Sequence, residues 1–241
     1  MSRGKGYAMM EAPAGARGTW KGRAVRIYID SADEAAIVEA LASGYVYGVT
    51  TNPTILRRAG ARAAGVPALA RMALAAGARE LHLQVYSDDT AAMVREGRAL
   101  AELDPQRVVV KIPATAAGYA AAAQLAADRV RVTLTAVYTI RQAILAASVG
   151  AAYIAVYVGR MGDAGLDALG LVAAMQRTLD AQHAPVAILA ASIRDAAEIE
   201  ALALAGVATV TLPPPVLSQL LDSPLTAAAA AAFGADAGAI L

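Results

Sequence analysis

From residue 25 onward, short runs of β-branched and aromatic residues alternate with alanine-rich segments that have the composition of helices. A chain of this kind is expected to form a parallel sheet covered by helices. The runs begin roughly 20 to 35 residues apart, which is the length of one strand, loop and helix unit. Eight runs are present: Val25–Ile29, Tyr47–Thr50, Leu81–Val85, Val108–Ile112, Val132–Val137, Tyr153–Tyr157, Val186–Ala190 and Ala208–Leu212.

Eight evenly repeated strand and helix units favour a closed barrel over an open sheet. An open doubly wound sheet also alternates strands with helices, but it has no need of eight units, and no Gly-x-Gly-x-x-Gly fingerprint follows the first run. A length of 241 residues suits one barrel domain. We therefore predict the α/β class, as a single (β/α)₈ TIM barrel over residues 24–241 that includes a C-terminal helical tail.

The two ends of the chain differ from this repeat. Residues 1–23 mix Arg, Lys and Gly without a continuous apolar core, so they do not resemble a secretory signal, and we predict a mobile N-terminal extension. The tail from Pro224 to Leu241 is rich in alanine but poor in large apolar side chains, which leaves its role open.

The composition argues against several classes of function. A net charge of +1 with 17% charged residues provides no basic face for nucleic acid. With no cysteine and only two histidines, we expect no disulfide, metal site or cofactor, and a cytoplasmic location. Although 58% of the residues are hydrophobic, Ser148 and Gly150 interrupt the uncharged stretch 142–159, and three prolines interrupt the stretch 202–221. We therefore predict no membrane span.

Polar side chains stand at the carboxyl ends of nearly all the predicted strands. In a closed barrel of parallel strands these ends meet on one rim, where such barrels carry their chemistry. One such residue alone is explained by a strand that turns towards water, but a whole set on one rim is not. We expect one cavity to collect Asp30, Thr51, Asn52, Gln84, Lys111, Thr135, Tyr157 and Ser192.

Lys111 is the most informative of these residues. The chain has three lysines, and the other two, Lys5 and Lys21, lie in the N-terminal extension. A lysine in a strand can reach out to solvent or pair with a carboxylate. However, burial in Val108-Val-Val-Lys-Ile-Pro113 would lower the pKa from its usual value of about 10.4 and yield a neutral, nucleophilic amine, which arginine cannot provide. Lys111 is therefore our candidate for a covalent imine with a carbonyl substrate.

Three residues after the sixth and seventh strands suit a phosphate. We expect Arg160, Ser192 and Arg194 to bind it through fork-shaped hydrogen bonds; the alternative is that the two arginines are partners in surface ion pairs. Asn52 could contact a sugar hydroxyl or mark a turn before Pro53. We interpret His82 as a core histidine whose hydrogen bonds are satisfied.

Several of these stretches resemble the family of transaldolases and the smaller fructose-6-phosphate aldolases. The similarity extends from Val25 to about Phe233, and the resemblance implies the barrel fold predicted above. The stretches that carry it are Ile27-Tyr-Ile-Asp-Ser-Ala32, Gly48-Val-Thr-Thr-Asn-Pro-Thr54, Val109-Val-Lys-Ile-Pro113, Tyr157-Val-Gly-Arg160 and Leu189-Ala-Ala-Ser-Ile-Arg194.

Three positions bear on which activity the resemblance implies. Transaldolases have a glutamate at the end of the third strand, a phenylalanine at the end of the sixth, and an asparagine two residues before the threonine of the fifth. Here these positions hold Gln84, Tyr157 and Thr133. The first two resemble the aldolase branch, and Thr133 matches neither. The resemblance favours cleavage of fructose 6-phosphate to dihydroxyacetone and glyceraldehyde 3-phosphate.

The alternative within the family is a transaldolase of the pentose phosphate pathway, which converts sedoheptulose 7-phosphate and glyceraldehyde 3-phosphate to erythrose 4-phosphate and fructose 6-phosphate. In either case the resemblance implies sugar phosphate substrates and catalytic roles for Lys111, Asp30, Gln84, Thr135 and Tyr157. It also implies a homo-oligomer, a ring pentamer or decamer whose C-terminal helices are exchanged between neighbours.

Two alternatives of a different class stay open. One is a phosphate-binding barrel isomerase that forms no imine and uses Asp30 as its base, and the other is a non-catalytic barrel that serves only in an assembly. Neither explains a lone lysine in an apolar strand.

Overall fold

The computed structural model describes residues 24–241, so the predicted N-terminal extension lies outside the described residues. Eight parallel strands pair in chain order, and β8 pairs with β1 to close the barrel. This confirms the predicted (β/α)₈ TIM barrel. The strands are β1 (Arg26–Asp30), β2 (Val46–Thr50), β3 (Glu80–Gln84), β4 (Val108–Pro113), β5 (Val132–Val137), β6 (Tyr153–Tyr157), β7 (Ala187–Ala191) and β8 (Thr209–Leu212).

Helices connect the strands and cover the outside of the barrel. They are α1 (Glu34–Ala42), α2 (Pro53–Arg58), α3 (Val66–Ala75), α4 (Thr90–Ala101), α5 (Ala116–Ala127), α6 (Ile140–Ser148), α7 (Val158–Asp163), α8 (Ala168–Ala181), α9 (Ala197–Leu204), α10 (Pro214–Gln219) and α11 (Pro224–Ile240), with a short 3₁₀ turn at Ala63–Gly65. The prolines that interrupt the stretch 202–221 lie at the start of α10, where a missing backbone N–H costs nothing. No helix among the described residues has the length and apolar character needed to cross a membrane.

Strand pleating separates two apolar cores. Successive side chains of a strand point to opposite faces, so Val108, Val110 and Ile112 face the helices and join the large outer core. Val109 faces inward and joins a smaller core inside the barrel with residues such as Tyr28 and Tyr153. The same alternation places Lys111 on the inner face of β4, two residues after Val109.

A buried polar network fills the barrel below the cavity end. Its centre is Glu80, which is 2% exposed and accepts hydrogen bonds from the Tyr28 hydroxyl at 2.8 Å and from Arg131 at 2.5 Å. His82 Nε2 lies 3.0 Å from the same carboxylate, and His82 Nδ1 lies 2.9 Å from Thr133 Oγ1. His82 is thus a core histidine with both ring nitrogens engaged, as predicted from the sequence.

The network also explains the ionisation of its members. Burial alone raises the pKa of Glu80, but the hydrogen bond from His82 and the charge of Arg131 outweigh it and hold that pKa well below its usual range. Burial lowers the pKa of His82 more than Glu80 raises it. A neutral His82 with Nε2–H donating to Glu80 and Nδ1 accepting from Thr133 is the arrangement consistent with both shifts.

We expect the substitution Glu80→Gln to destabilise the protein by about 3 kcal/mol at neutral pH, because it breaks a buried pair and leaves Arg131 without its carboxylate. The folded pKa of Glu80 is depressed, so its stabilisation is present above the ordinary value of 4.5 and is lost as the pH falls below it. Urea unfolding of both proteins between neutral pH and about pH 3 measures this. The difference in the free energy of unfolding between wild type and Glu80→Gln should narrow on acidification. A difference that stays constant would contradict a depressed pKa for Glu80. Glu39→Gln, at an exposed site of α1, is the matched control.

Candidate active site

A cavity of about 500 Å³ opens at the carboxyl ends of the strands. Most of the residues predicted from the sequence line it, in agreement with the rule that parallel barrels carry their sites on this rim. The predicted residues that line it are Asp30, Asn52, Lys111, Tyr157, Arg160, Ser192 and Arg194.

Lys111 lies at the base of this cavity and is 2% exposed. Its Nζ donates a hydrogen bond of 3.1 Å to the backbone carbonyl of Thr51, which anchors the amine from the side of β2. Burial lowers the pKa of Lys111, and the negative charge of Asp30 opposes that shift only in part. The structure therefore provides the condition that imine formation requires, a lysine whose neutral form is favoured.

Asp30 ends β1, and its carboxylate accepts a hydrogen bond from Thr50. Thr50 Oγ1 donates to Asp30 Oδ1 at 2.6 Å and also lies 2.6 Å from Thr211 Oγ1, so a chain of hydroxyl groups leads from β8 to the carboxylate. Burial raises the pKa of Asp30 by more than the charge of Lys111 and the hydrogen bond from Thr50 lower it. A carboxyl group with a raised pKa beside an amine with a lowered pKa suits the exchange of protons in a closed site.

Asn52 has both of the roles that the sequence suggested. It is the N-cap of α2, where its Oδ1 accepts the backbone N–H of Ile55 at 3.1 Å. Since Asn52 also lines the cavity, its side-chain amide nitrogen is the group left to donate to a bound hydroxyl. The helix cap thereby fixes the direction of the donor.

Tyr157 ends β6, and its hydroxyl accepts a hydrogen bond of 3.1 Å from Thr135 Oγ1. The register of β5 shifts between Thr135 and Val137, where Ala136 has a φ of 60°. A bulge of this kind redirects the neighbouring side chains of a strand. Because Thr135 donates to it, the Tyr157 hydroxyl retains its own proton for another acceptor.

Three predicted residues, Gln84, Thr135 and Thr51, are not among those that line the cavity, and their place in the site stays a prediction. Thr135 contacts the cavity residue Tyr157 through its hydroxyl. Gln84 is the register partner of Lys111 on β3, and neither its buried Oε1 nor the buried Oγ1 of Thr51 has a hydrogen-bond partner within the described residues. Buried acceptors of this kind are usually satisfied by water or a ligand.

The loops after β6 and β7 meet at the other end of the cavity. Gly159 N donates to the carbonyl of Ser192 at 3.1 Å, and a Cβ at residue 159 would lie 2.3 Å from that oxygen, so only glycine allows this approach. Arg160 lies over the Tyr157 ring, 4.8 Å from its centroid. Arg194 forms a two-pronged ion pair with Asp163, so the surface ion pair considered from the sequence is present for this arginine.

Sequence reasoning missed Thr50, Thr211 and Arg58. The two threonines are on inner faces of their strands next to Asp30, and an inward polar residue at the end of an apolar strand was the available signal. Arg58, at the end of α2, lines the cavity without any motif to mark it. Among residues 24–241 there is no group of three or more His, Cys, Asp or Glu side chains that could hold a metal ion.

Comparison with known proteins adds independent findings. A family model described as transaldolase/fructose-6-phosphate aldolase matches residues 27–240. A "Probable transaldolase" of Caulobacter vibrioides is 36% identical over 206 residues, which cover 84% of this chain and 91% of the relative. A protein with the same description from Thermus thermophilus is 37% identical over 210 residues, 84% of this chain and 93% of the relative.

A solved structure is similar in fold alone. A doubly substituted flavocytochrome b2 with sulfite bound superposes with a TM-score of 0.59 at 10% sequence identity, over 80% of this chain and 57% of that chain. At this level of identity the similarity is evidence for the barrel architecture only.

Proposed function

The chain belongs to the transaldolase/fructose-6-phosphate aldolase family and is an enzyme of the aldolase/transaldolase type; within that family, we propose that it is an aldolase that cleaves fructose 6-phosphate to dihydroxyacetone and glyceraldehyde 3-phosphate. The observation that carries the proposal is the buried Lys111 amine, with its lowered pKa, in a cavity that Tyr157 and Asp30 also line.

The first step is formation of the imine. The neutral amine of Lys111 attacks C2 of the open-chain ketose to give a carbinolamine, and loss of one water molecule gives the protonated imine. Asp30, whose pKa burial raises, is placed to give and take the protons of this step. Asn52 donates its amide N–H to a substrate hydroxyl.

The second step is cleavage between C3 and C4. The proton of the C4 hydroxyl leaves, the C3–C4 electron pair moves into the protonated imine, and glyceraldehyde 3-phosphate departs. The remaining three-carbon unit is an enamine on Lys111. We assign the transfer of this proton to a water molecule bound by Gln84, Thr135 and the Tyr157 hydroxyl, which passes it to the Asp30 carboxylate that imine formation has left unprotonated. The unpartnered Gln84 Oε1 and the Thr135–Tyr157 hydrogen bond support this assignment.

The fate of the enamine separates the two activities. If its C3 takes a proton and water then hydrolyses the imine, dihydroxyacetone leaves and the enzyme is an aldolase. If a second aldehyde captures it, the enzyme is a transaldolase. The Tyr157 phenol is a proton donor in the cavity that Lys111 also lines, and Gln84 carries no charge that would compete for the proton. Both features favour protonation of the enamine.

The phosphate of the substrate binds between the loops after β6 and β7. Arg160, Ser192 and Arg194 all line that end of the cavity. Arg160 and Ser192 provide a guanidinium and a hydroxyl, and Arg194 provides a second guanidinium once it leaves Asp163. Arginine suits this role because its planar fork matches phosphate oxygens.

Transaldolase activity is the second candidate, because the curated relatives are described as probable transaldolases. Product formation from fructose 6-phosphate, measured with and without erythrose 4-phosphate as acceptor, distinguishes the two. Steady release of free dihydroxyacetone without the acceptor is the expected result. Turnover only in the presence of the acceptor would replace the aldolase proposal with the transaldolase.

Borohydride trapping tests the chemistry common to both activities. Incubation with fructose 6-phosphate or dihydroxyacetone, reduction and intact-mass measurement should show one adduct, and peptide mapping should place it on Lys111. The isomerase alternative, with Asp30 as base and no imine, predicts no adduct with either compound.

We also propose a ring-shaped homo-oligomer, with α11 covered by a neighbouring subunit. No residue of this 17-residue helix is buried in the single chain, and Leu225 and Phe233 are 85% and 72% exposed. Sedimentation velocity of the full chain should give an assembly of five or ten subunits. Truncation before Ser223 should lower the number of subunits in the assembly. An unchanged number of subunits would exclude α11 from the subunit contacts.

A further inference from the structure

We propose that Asp163 sets the preference of this enzyme for phosphorylated over unphosphorylated substrates, by holding Arg194 away from the phosphate and leaving Arg160 as the principal phosphate-binding charge. This inference rests on the proposed function, because it concerns the phosphate end of the same cavity. Neither a motif nor a strand-end position drew attention to Asp163 in the sequence.

Arg194 lies on the wall between two cavities. It lines the main cavity, but it also lines a second one of about 330 Å³ whose walls include Asp163 and Glu198. Its guanidinium is turned to the second cavity, where NH1 and NH2 donate to the two carboxylate oxygens of Asp163. Its backbone N–H lies 3.4 Å from the Glu198 carboxylate. Asp163 thus holds the Arg194 guanidinium at the second cavity, whose lining does not include Lys111.

Arg160 is placed differently. It lines the main cavity and not the second one, and its guanidinium lies over the Tyr157 ring, 4.8 Å from the ring centroid. Stacking on an aromatic face orients an arginine without using its N–H donors, so these stay available to phosphate oxygens. Of the two arginines, Arg160 is therefore the one prepared to bind an anion.

The ion pair weakens Arg194 as a phosphate ligand for an electrostatic reason. The hydrogen bonds from Arg194 hold the pKa of Asp163 below its usual range, and Asp163 raises that of Arg194, so both groups stay charged and cancel each other. A phosphate that recruits Arg194 must first replace Asp163. Because the two side chains are 56% and 54% exposed, solvent screens the pair, and the effect on binding is moderate rather than absolute.

The test compares two reactions of the full-length enzyme. Asp163→Asn should lower the KM for fructose 6-phosphate cleavage by roughly two- to fivefold, the range that an exposed ion pair allows. Aldol addition of dihydroxyacetone to glyceraldehyde, in which no partner carries phosphate, should keep its kcat and KM. Asp128→Asn is the matched control, because it removes the same charge from the exposed Arg98–Asp128 pair outside the cavity.

A double variant separates the inference from a general change in charge. In an Arg194→Gln background, Asp163→Asn should lower the KM much less than it does in the wild type, since only the weaker charge interaction of Asp163 with Arg160 is left to remove. An unchanged or higher KM in the single Asp163→Asn variant, or an equal decrease in both reactions, would overturn the inference. The dihydroxyacetone and glyceraldehyde reaction of the wild type tests the aldolase proposal by itself, so failure of that proposal can be recognised separately.

Discussion

Substitution of Lys111 by methionine will abolish the borohydride-trapped adduct and lower kcat for fructose 6-phosphate cleavage by at least about 10⁴-fold, the scale expected when a covalent nucleophile is removed. Methionine has a similar length and suits a side chain that is 2% exposed, so the fold should persist. Steady-state kinetics, intact mass and circular dichroism measure the three results. Retained turnover by a folded variant would contradict the covalent mechanism.

Lys111→Arg is the companion variant, because it retains a positive charge without a titratable amine. It should be as inactive as Lys111→Met. The stability of the wild type provides an independent check on the amine. Because the folded pKa of Lys111 lies below its ordinary value of 10.5, unfolding takes up a proton below that value, and this contribution to stability should rise as the pH rises towards 10.5. The free energy of unfolding of Lys111→Met, measured with urea, should lack this rise with pH.

The substitution Tyr157→Phe will lower kcat for aldol cleavage by about 10³-fold, within the range found for removal of a positioned acid or base. Substrate binding should change much less, because phenylalanine keeps the aromatic face on which Arg160 lies. Steady-state kinetics on fructose 6-phosphate, with separate values for kcat and KM, measure the effect. An unchanged kcat would remove Tyr157 from the proton transfer.

The Tyr157→Phe variant also tests the choice between the two activities. If the phenol protonates the enamine, its removal should slow the release of dihydroxyacetone more than the capture of the enamine by erythrose 4-phosphate. The ratio of transfer to cleavage should therefore rise. Thr135→Val is the control for the hydrogen bond from Thr135 to Tyr157 alone. It should change the ratio of transfer to cleavage less than Tyr157→Phe does, because the Tyr157 hydroxyl itself remains.

The sequence by itself determined the barrel and the rim on which the site lies. Each predicted strand matches an observed one with its ends shifted by no more than one residue, because apolar β-branched runs are local signals. The inward direction of Lys111 follows from strand alternation, and its position in an apolar strand predicts the lowered pKa that burial gives it.

Only the tertiary structure decided which polar residues share the cavity and which partners they have. Sequence position assigns a residue to the rim, but only the assembled fold decides whether its side chain lines the cavity, as for Asn52, or contacts a residue that does, as Thr135 contacts Tyr157. The contact of Glu80 with Arg131 joins residues 51 positions apart, and that of Arg194 with Asp163 joins residues 31 positions apart. Closure of the barrel creates these contacts, and no local pattern encodes them, because hydrogen bonds and ion pairs depend on distances that only the assembled fold sets.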